Sequence, residues 1–324
     1  MKNKLIKKII GPFQYLFWWT QLRILSACPP LFGLVTRFSL GAPNSPKVWI
    51  KTFLRMTVRV PHALFLHFRS QLAHRAVISR VVFPITTRCT LNCDKCVAHI
   101  PDLKGHHMDM PINDLLADIQ SLLSCIDSIH FILLSGGETF LHPNLDEIIR
   151  ACAASGKIRN IGVQSNGTVL PDAKTLAALR EAKALVRISE YSPALQPEVG
   201  RMKALLKENG IRYTHESATA WSDTGEFCQL QGGSVKRRFS VCIQRLCYPC
   251  FNGKLHLCCK SVILMELGFI PDCKEDYIDL RKTSPAEFWG QWRKLLKRRS
   301  IAACSYCLGD TYESSKIPVA VQRK

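Results

Sequence analysis

Three cysteines lie close enough in the sequence to bind one metal centre: Cys89, Cys93 and Cys96 fall within eight residues. They follow the apolar run 81–86, which predicts a buried strand. Thiolates bind zinc and iron–sulfur clusters, and a closed tetrahedral site takes four ligands. Three thiolates therefore hold the metal and leave one position open for substrate. The alternative is a zinc knuckle with a fourth ligand from His99, His106 or His107.

A second motif, Ser135-Gly136-Gly137-Glu138, ends the next predicted strand. Two glycines allow backbone groups to approach a ligand closely, and the carboxylate of Glu138 can accept a hydrogen bond from an ammonium group. A Gly-Gly turn alone often has no function. Here the motif follows a three-cysteine loop by one strand–helix unit, and this combination is a much stronger signal of function.

Alternating strand and helix patterns position these motifs. Strands are predicted at 81–86, 128–134, 160–164, 185–188 and 211–214, and helices at 111–123, 143–155, 171–184 and 198–209. This alternation predicts a parallel sheet built from βαβ units. Polar tips such as Ser165-Asn166-Gly167-Thr168 and Ser189-Glu190 follow the strands, at the edge where parallel α/β folds form their sites.

The cysteine loop and the glycine–glycine–glutamate motif together resemble the radical SAM superfamily, over residues 81–218. The resemblance implies a partial (β/α)6 TIM-type barrel. It implies a [4Fe-4S] cluster on the three cysteines, with S-adenosylmethionine on the fourth iron, and a flavodoxin- or ferredoxin-type electron donor. The cofactor-binding residues that it implies are Gly136, Gly137, Glu138, Asn166, Ser189 and Glu190. Lys95 stands where the family often has an aromatic residue beside the adenine.

A second group of cysteines follows the linker 219–241 and occupies the module 242–324. This module resembles the short auxiliary-cluster extension of radical SAM enzymes, called twitch, whose longer form is SPASM. The resemblance implies a second [4Fe-4S] cluster on Cys242, Cys258, Cys304 and Cys307, with Cys247, Cys250 and Cys259 as alternates. A hairpin around Asn252-Gly253 and a helix begun by Ser284, Pro285 and Glu287 would bring the pairs together. A zinc site on the same thiolates is the alternative.

Other candidate residues carry weaker signals. His215 and Glu216 end the fifth strand and are a candidate acid/base pair, although a surface or structural role is equally open. Cys28, Cys125, Cys152, Cys228 and Cys273 are interpreted as small hydrophobic residues. His130, inside a strand, is interpreted as a core histidine.

Charge and cysteine content limit where the protein works. The chain has 324 residues, 44 basic against 25 acidic, and 15 cysteines. Residues 1–80 contain 13 Lys/Arg and no Asp or Glu. This mostly helical extension is interpreted as an amphipathic region at an anionic membrane surface or as a helical cap on the barrel, with a mitochondrial transit peptide as a weaker third alternative. The cysteines favour a reducing compartment, so a cytoplasmic enzyme is expected, with peripheral attachment to the inner face of the membrane.

The expected function is that of a radical SAM oxidoreductase acting on a small polar or carbohydrate-type substrate. A SPASM-type peptide maturase is the alternative among enzymes. A basic, zinc-bearing protein that binds nucleic acid or a membrane is the alternative from another class, and nucleic acid is the less expected partner.

Overall fold

The computed structural model describes residues 77–103, 105–106, 108–217, 220–225, 227, 229–230, 235–311 and 314–323. Residues 1–76 of the expected amphipathic region 1–80 and the cysteines at 28 and 228 lie outside these residues. Within the described residues, no helix has both the length and the apolar character needed to cross a membrane.

A five-stranded parallel sheet forms the centre of the molecule, as the sequence predicts. Its order follows the chain, β1-β2-β3-β4-β5, and every neighbouring pair is parallel. The strands are β1 (Val77–Thr86), β2 (Ser128–Gly136), β3 (Ile161–Ser165), β4 (Leu185–Glu190) and β5 (Arg212–Ser217). The next strand in the described chain, β6 (Trp221–Ser222), pairs antiparallel with β10 (Lys316–Ile317) outside this sheet. The described barrel therefore has five strands where the family resemblance implies six.

Four helices connect these strands: α1 (Ile112–Cys125), α2 (Leu145–Ala154), α3 (Ala173–Glu181) and α4 (Val199–Glu208). Their apolar faces pack on the sheet, as the buried Leu115, Ile119 and Leu122 of α1 illustrate. Asp172 caps α3 by accepting a hydrogen bond from the Thr175 N–H at 2.8 Å. The predicted helix ends differ by one to three residues.

The strands differ from prediction mainly at their ends. β1 includes four residues before the predicted start, because Ile78 and Val81 already face the core. β4 and β5 each continue for two or three residues past the predicted end. Ser189, Glu190, His215 and Glu216 therefore lie within paired strands and not in loops.

The cysteine-rich module begins with α5 (Val235–Val241), inside the predicted linker, and continues through β7 (Cys250–Phe251), β8 (Lys254–His256), α6 (Cys259–Glu266), β9 (Tyr277–Asp279) and α7 (Pro285–Leu296). β7 and β8 form the predicted hairpin, with Asn252 at φ 48° and Gly253 at φ 71°. At the start of α7 the Glu287 carboxylate accepts hydrogen bonds from the Ser284 N–H and hydroxyl, as predicted.

This module is joined to the barrel along the free edge of β1. Val82 forms a parallel bridge with Pro249, and its N–H donates to the Tyr248 carbonyl at 3.1 Å. A buried carboxylate adds a second connection: Asp118 of α1 accepts hydrogen bonds from the Gly253 N–H at 2.6 Å and from Arg281 at 2.8 Å. The strand that leads into the first cysteine loop thus has partners on both sides.

Candidate functional site

The first cysteine loop leaves the carboxyl end of β1, where two side chains fix its start. The Thr86 hydroxyl is within hydrogen-bond distance of the Met108 carbonyl (2.6 Å) and the Asp109 carboxylate (2.7 Å). Arg88 donates to Asp109 and to the Leu141 carbonyl, each at 3.1 Å. The chain before Cys89 is therefore held by the segment that precedes α1 and by the turn that follows β2.

The two glycines of the second motif permit close backbone packing against this loop. A Cβ on Gly136 would stand 2.1 Å from the Thr86 carbonyl oxygen, and one on Gly137 would stand 2.1 Å from the Arg88 carbonyl oxygen. Backbone hydrogen bonds cross the same contact, from Gly137 to Thr86 at 2.9 Å and from Glu138 to Arg88 at 2.8 Å. The described contacts thus assign these glycines a role in placing Cys89, besides the cofactor contact predicted from sequence.

Glu138 is fully buried and joins the tips of β2 and β3. One carboxylate oxygen accepts from the Phe140 N–H at 3.1 Å, and the other accepts from the Ser165 hydroxyl at 3.1 Å and the Asn166 N–H at 2.7 Å. Burial raises the pKa of this carboxyl group to about 7. The contact of Glu138 with a ligand ammonium group stays a prediction. Both carboxylate oxygens already accept hydrogen bonds from groups of the protein.

Asn166 brings the tip of β3 to the cysteine loop. Its side-chain N–H donates to the Cys89 sulfur at 3.4 Å, while its side-chain oxygen accepts from the Thr168 N–H at 3.0 Å. Burial, with a smaller contribution from the nearby negative charges of Glu138, Cys96 and Cys93, raises the pKa of Cys89 to about 11. The three thiols therefore face a common region, where a cation would stabilise their deprotonated forms.

The predicted residues on β4 and β5 have partners within the protein. Glu190 accepts a hydrogen bond from Lys203 at 2.8 Å, which lowers the pKa of this carboxyl group, and it lies 3.2 Å from His215. The ionisable partner of His215 is thus Glu190, whereas the prediction paired it with Glu216, whose side chain lies outside the description. The Ser189 hydroxyl accepts from Gln164 at 2.9 Å.

Sequence reasoning missed two residues that organise this edge. Gln196 is buried; it donates to the carbonyls of Asn166 and Ser189 and accepts from the Tyr191 N–H at 2.6 Å. Burial raises the pKa of Tyr191 to about 12, and its phenol lies near enough to all three loop thiols to interact with their charges. Tyr191 directly follows β4 and Gln196 lies further along the same loop; their place after a strand was the signal available in the sequence.

The four cysteines predicted for the auxiliary site line one cavity. Its walls also include Lys260 and Arg238, and the four thiols are those of Cys242, Cys258, Cys304 and Cys307. The backbone N–H groups of Asp310 and Gly309 donate to the sulfurs of Cys242 (3.4 Å) and Cys307 (3.3 Å). Four cysteine sulfurs with cationic neighbours and backbone N–H donors suit a group that carries negative charge.

The alternates occupy different positions. Cys250 lies in β7 and is buried in the core, where its charged neighbours are Asp118 and Arg281 and not the other cysteines. Cys259 lines the cavity and also interacts with Cys247 and Arg80. Of the cysteines interpreted as hydrophobic, Cys125 and Cys152 are buried as predicted, whereas Cys273 is partly exposed.

A buried cation connects the two cysteine sites. Lys260, beside Cys259, contacts the Nε2 atom of His99, and the Nδ1 atom of His99 lies 3.0 Å from the Asp102 carboxylate. Burial lowers the pKa of Lys260 and lowers the pKa of His99 to about 4. Since both ring nitrogens of His99 have other partners, His99 does not complete a zinc knuckle. His107 is outside the described residues, in which no three His, Cys, Asp or Glu side chains are grouped tightly enough to hold a single metal ion.

The site and fold together define an α/β barrel with three cysteines in the loop at the carboxyl end of its first strand. Residues 83–218 match the family model of the radical SAM superfamily. GTP 3′,8-cyclase 1 of Mycobacterium tuberculosis is 26% identical over 144 residues, 42% of this chain and 37% of that protein. GTP 3′,8-cyclase of Stenotrophomonas maltophilia is 29% identical over 87 residues, 27% of this chain and 26% of that protein. The chain is thus similar to only about a third or less of these relatives.

Among solved structures, BtrN in complex with AdoMet and 2-DOIA aligns with 74% of this chain and 97% of its own, at 14% identity and a TM-score of 0.43. The match of residues 83–218 to the superfamily model indicates an enzyme with a radical SAM domain. The superfamily implies a [4Fe-4S] cluster and S-adenosylmethionine. Three converging thiols, with amide donors to two of their sulfurs, fit such a cluster.

Proposed function

We propose that this enzyme removes a hydrogen atom from a small polar or carbohydrate-type substrate and oxidises the product radical with the help of an auxiliary cluster. Cys89, Cys93 and Cys96 would hold the first cluster. When bound, the first cluster would supply the electron that cleaves S-adenosylmethionine to methionine and a 5′-deoxyadenosyl radical. The auxiliary cluster would supply a one-electron acceptor for the substrate radical.

The observation that carries the proposal is a cavity of about 350 Å³ that adjoins the first cysteine loop and is lined mainly by residues with polar or charged side chains. Asp94 and Lys95 reach it from within the first cysteine loop, and Thr224 lines both this cavity and the one that contains the auxiliary cysteines. A volume near the lower end of ligand pockets suits a small molecule. A substrate here would be next to both redox centres.

The chemistry of the cavity walls favours a substrate rich in hydroxyl or amino groups. Asp94, Asp102 and Asp223 contribute carboxylates, and Arg323 contributes a guanidinium group. Carboxylates accept hydrogen bonds from hydroxyl and ammonium groups, and the guanidinium group donates to oxygen. Phe227 and Phe269 stack at 4.6 Å and form an apolar wall that would exclude water from one side.

The primary experiment measures metal content and S-adenosylmethionine cleavage under anaerobic conditions. We expect about eight irons and eight sulfides per wild-type chain and production of 5′-deoxyadenosine with dithionite. Cys96→Ala should abolish 5′-deoxyadenosine production, whereas Cys273→Ala, a partly exposed cysteine outside both groups, should retain it. Zinc without sulfide would contradict the proposal and support a zinc-bearing binding protein.

A second experiment tests the substrate class. Aminocyclitols, hexoses and short peptides are each added, and 5′-deoxyadenosine formation is compared with the substrate-free rate. We expect stimulation by a polyhydroxylated or amino-substituted ring compound and weaker stimulation in Asp223→Asn. Stimulation by peptides alone would contradict the small-molecule proposal and favour peptide maturation.

We also propose that residues 1–80 hold the enzyme at the inner, anionic face of the cytoplasmic membrane. The supporting observation is the charge of this segment, 13 basic and no acidic residues. Replacing Lys2, Lys4, Lys7 and Lys8 with Gln in the full chain should reduce flotation with phosphatidylserine vesicles at low salt. Replacing Lys294 and Lys297 of α7 and its C-cap with Gln is the matched control. Equal flotation of all proteins would contradict the proposal.

A further inference from the structure

The segment 320–323, far from the barrel in sequence, pairs with the first cysteine loop. Gln322 forms an antiparallel bridge with Cys93. The Asp94 N–H donates to the Val321 carbonyl at 2.6 Å, and the Arg323 N–H donates to the Asn92 carbonyl at 2.8 Å. The cysteine loop therefore has a short strand partner on one side, although it is not itself part of the main sheet.

The side chain of Gln322 has an orientation fixed by two backbone groups. Its oxygen accepts from the Asn92 N–H at 2.7 Å, and its nitrogen donates to the Ala320 carbonyl at 2.7 Å. Because a backbone N–H can only donate and a carbonyl can only accept, the amide cannot be flipped. The second hydrogen on the nitrogen is thereby directed at the Cys93 sulfur, 3.3 Å away.

Ion pairs hold this segment in place. Arg323 donates to the Asp102 carboxylate at 2.8 Å and lies 3.7 Å from the Asp94 carboxylate. Asp102 also contacts His99, which packs on Lys260. The position of Gln322 is thus determined by the cysteine loop and by the helix that begins beside the auxiliary cysteines.

We propose that Gln322 is a positioning residue for the first cluster, which fixes Cys93 and raises the reduction potential of the cluster through its N–H···S hydrogen bond. This inference rests on the proposed function, because it takes Cys93 as a cluster ligand. Asn166 makes the corresponding contact with Cys89 from the tip of β3. Hydrogen bonds to ligand sulfurs withdraw negative charge, so they favour the reduced cluster, which carries one more electron.

Two substitutions test this role in the full-length, cluster-loaded enzyme. Gln322→Glu keeps an oxygen that accepts from Asn92 but removes the donor to the Cys93 sulfur and to the Ala320 carbonyl, and Gln322→Leu removes all three contacts without adding charge. Gln291→Glu is the matched control, because Gln291 is exposed on α7, accepts from Thr283 at 3.3 Å and needs no donor for that contact. Thermal unfolding of the iron-free proteins shows whether each variant folds.

The readouts are the midpoint potential and the iron retention of the first cluster. That cluster is identified as the one whose electron paramagnetic resonance signal changes when S-adenosylmethionine is added. We expect both Gln322 variants to shift that potential to more negative values and to lose iron to a chelator about tenfold faster, with Gln291→Glu at wild-type values. Wild-type potential and iron retention in both Gln322 variants would overturn the inference. A wild-type protein that lacks such a signal would instead overturn the proposed function.

Discussion

Gly137→Ala is expected to displace the first cysteine loop by steric conflict alone. The added Cβ would stand 2.1 Å from the Arg88 carbonyl oxygen and 3.0 Å from the Cβ of Cys89. The nearest atom belongs to the backbone, so no side-chain rotation can relieve the contact. The tip of β2 must move away from the end of β1, or the loop that carries the cysteines must move.

The cost follows from the contacts that such a movement breaks. Overpacking a fixed backbone costs about 1–3 kcal/mol. Loss of the hydrogen bonds from Gly137 to Thr86 and from Glu138 to Arg88 adds about 0.5–1.5 kcal/mol each. A total of about 2–6 kcal/mol lowers the melting temperature of a domain of this size by at least about 4 °C.

The assay is thermal unfolding of the iron-free protein, together with iron content after reconstitution. Gly290→Ala is the matched control, because Gly290 lies within α7 and a Cβ there would meet no atom within 4 Å. That substitution should stabilise the protein by about 0.5–1 kcal/mol through helix propensity. The reasoning is refuted if Gly137→Ala unfolds at the wild-type temperature and binds the wild-type amount of iron.

Three further predictions concern buried groups. Asp118→Ala leaves the Gly253 N–H without its acceptor and the half-exposed Arg281 without its partner; it should cost about 1–3 kcal/mol in urea unfolding, and an unchanged midpoint would contradict this. The pKa of Glu138 is about 7 in the folded protein and 4.5 in the unfolded chain, so the folded state binds more protons between these pH values. The ionised carboxylate therefore destabilises the folded protein most above pH 7. Iron-free wild-type protein should therefore gain about 1.4 kcal/mol per pH unit relative to Glu138→Gln as the pH falls from 7 toward 4.5, and parallel pH curves would refute this. Cys250→Ala should lower stability but keep both clusters, whereas Cys258→Ala should keep about four irons per chain; the reverse result would reassign the ligands.

The sequence predicts those parts of the site that depend on local pattern. Strand and helix periodicity predicted the parallel sheet, and the positions of Cys89 and Gly137 after successive strands predicted that both would lie at one edge. The hairpin at Asn252 and the hydrogen-bonded start of α7 could also be predicted, because each is specified by a few neighbouring residues.

The contacts that tertiary packing creates could not be predicted in this way. Gln322 meets Cys93 across 229 positions and Lys260 meets His99 across 161, and neither pair belongs to a periodic pattern. Glu138 shows a different limit: its motif predicted a carboxylate at the site, but not that both oxygens accept hydrogen bonds from the protein itself. A residue type indicates which bonds are available, and only the packed neighbours decide which are made.

The pairing of segment 320–323 with the cysteine loop has a consequence for biosynthesis. The Gln322 side chain that accepts the hydrogen bond from Asn92 is separated from it by 230 positions. At translation rates of about 5–20 residues per second, it leaves the ribosome roughly 10–50 s after the loop. During that interval the nascent loop presents Cys93 without its strand partner, so iron delivery after release of the chain would meet a loop already held in its final shape.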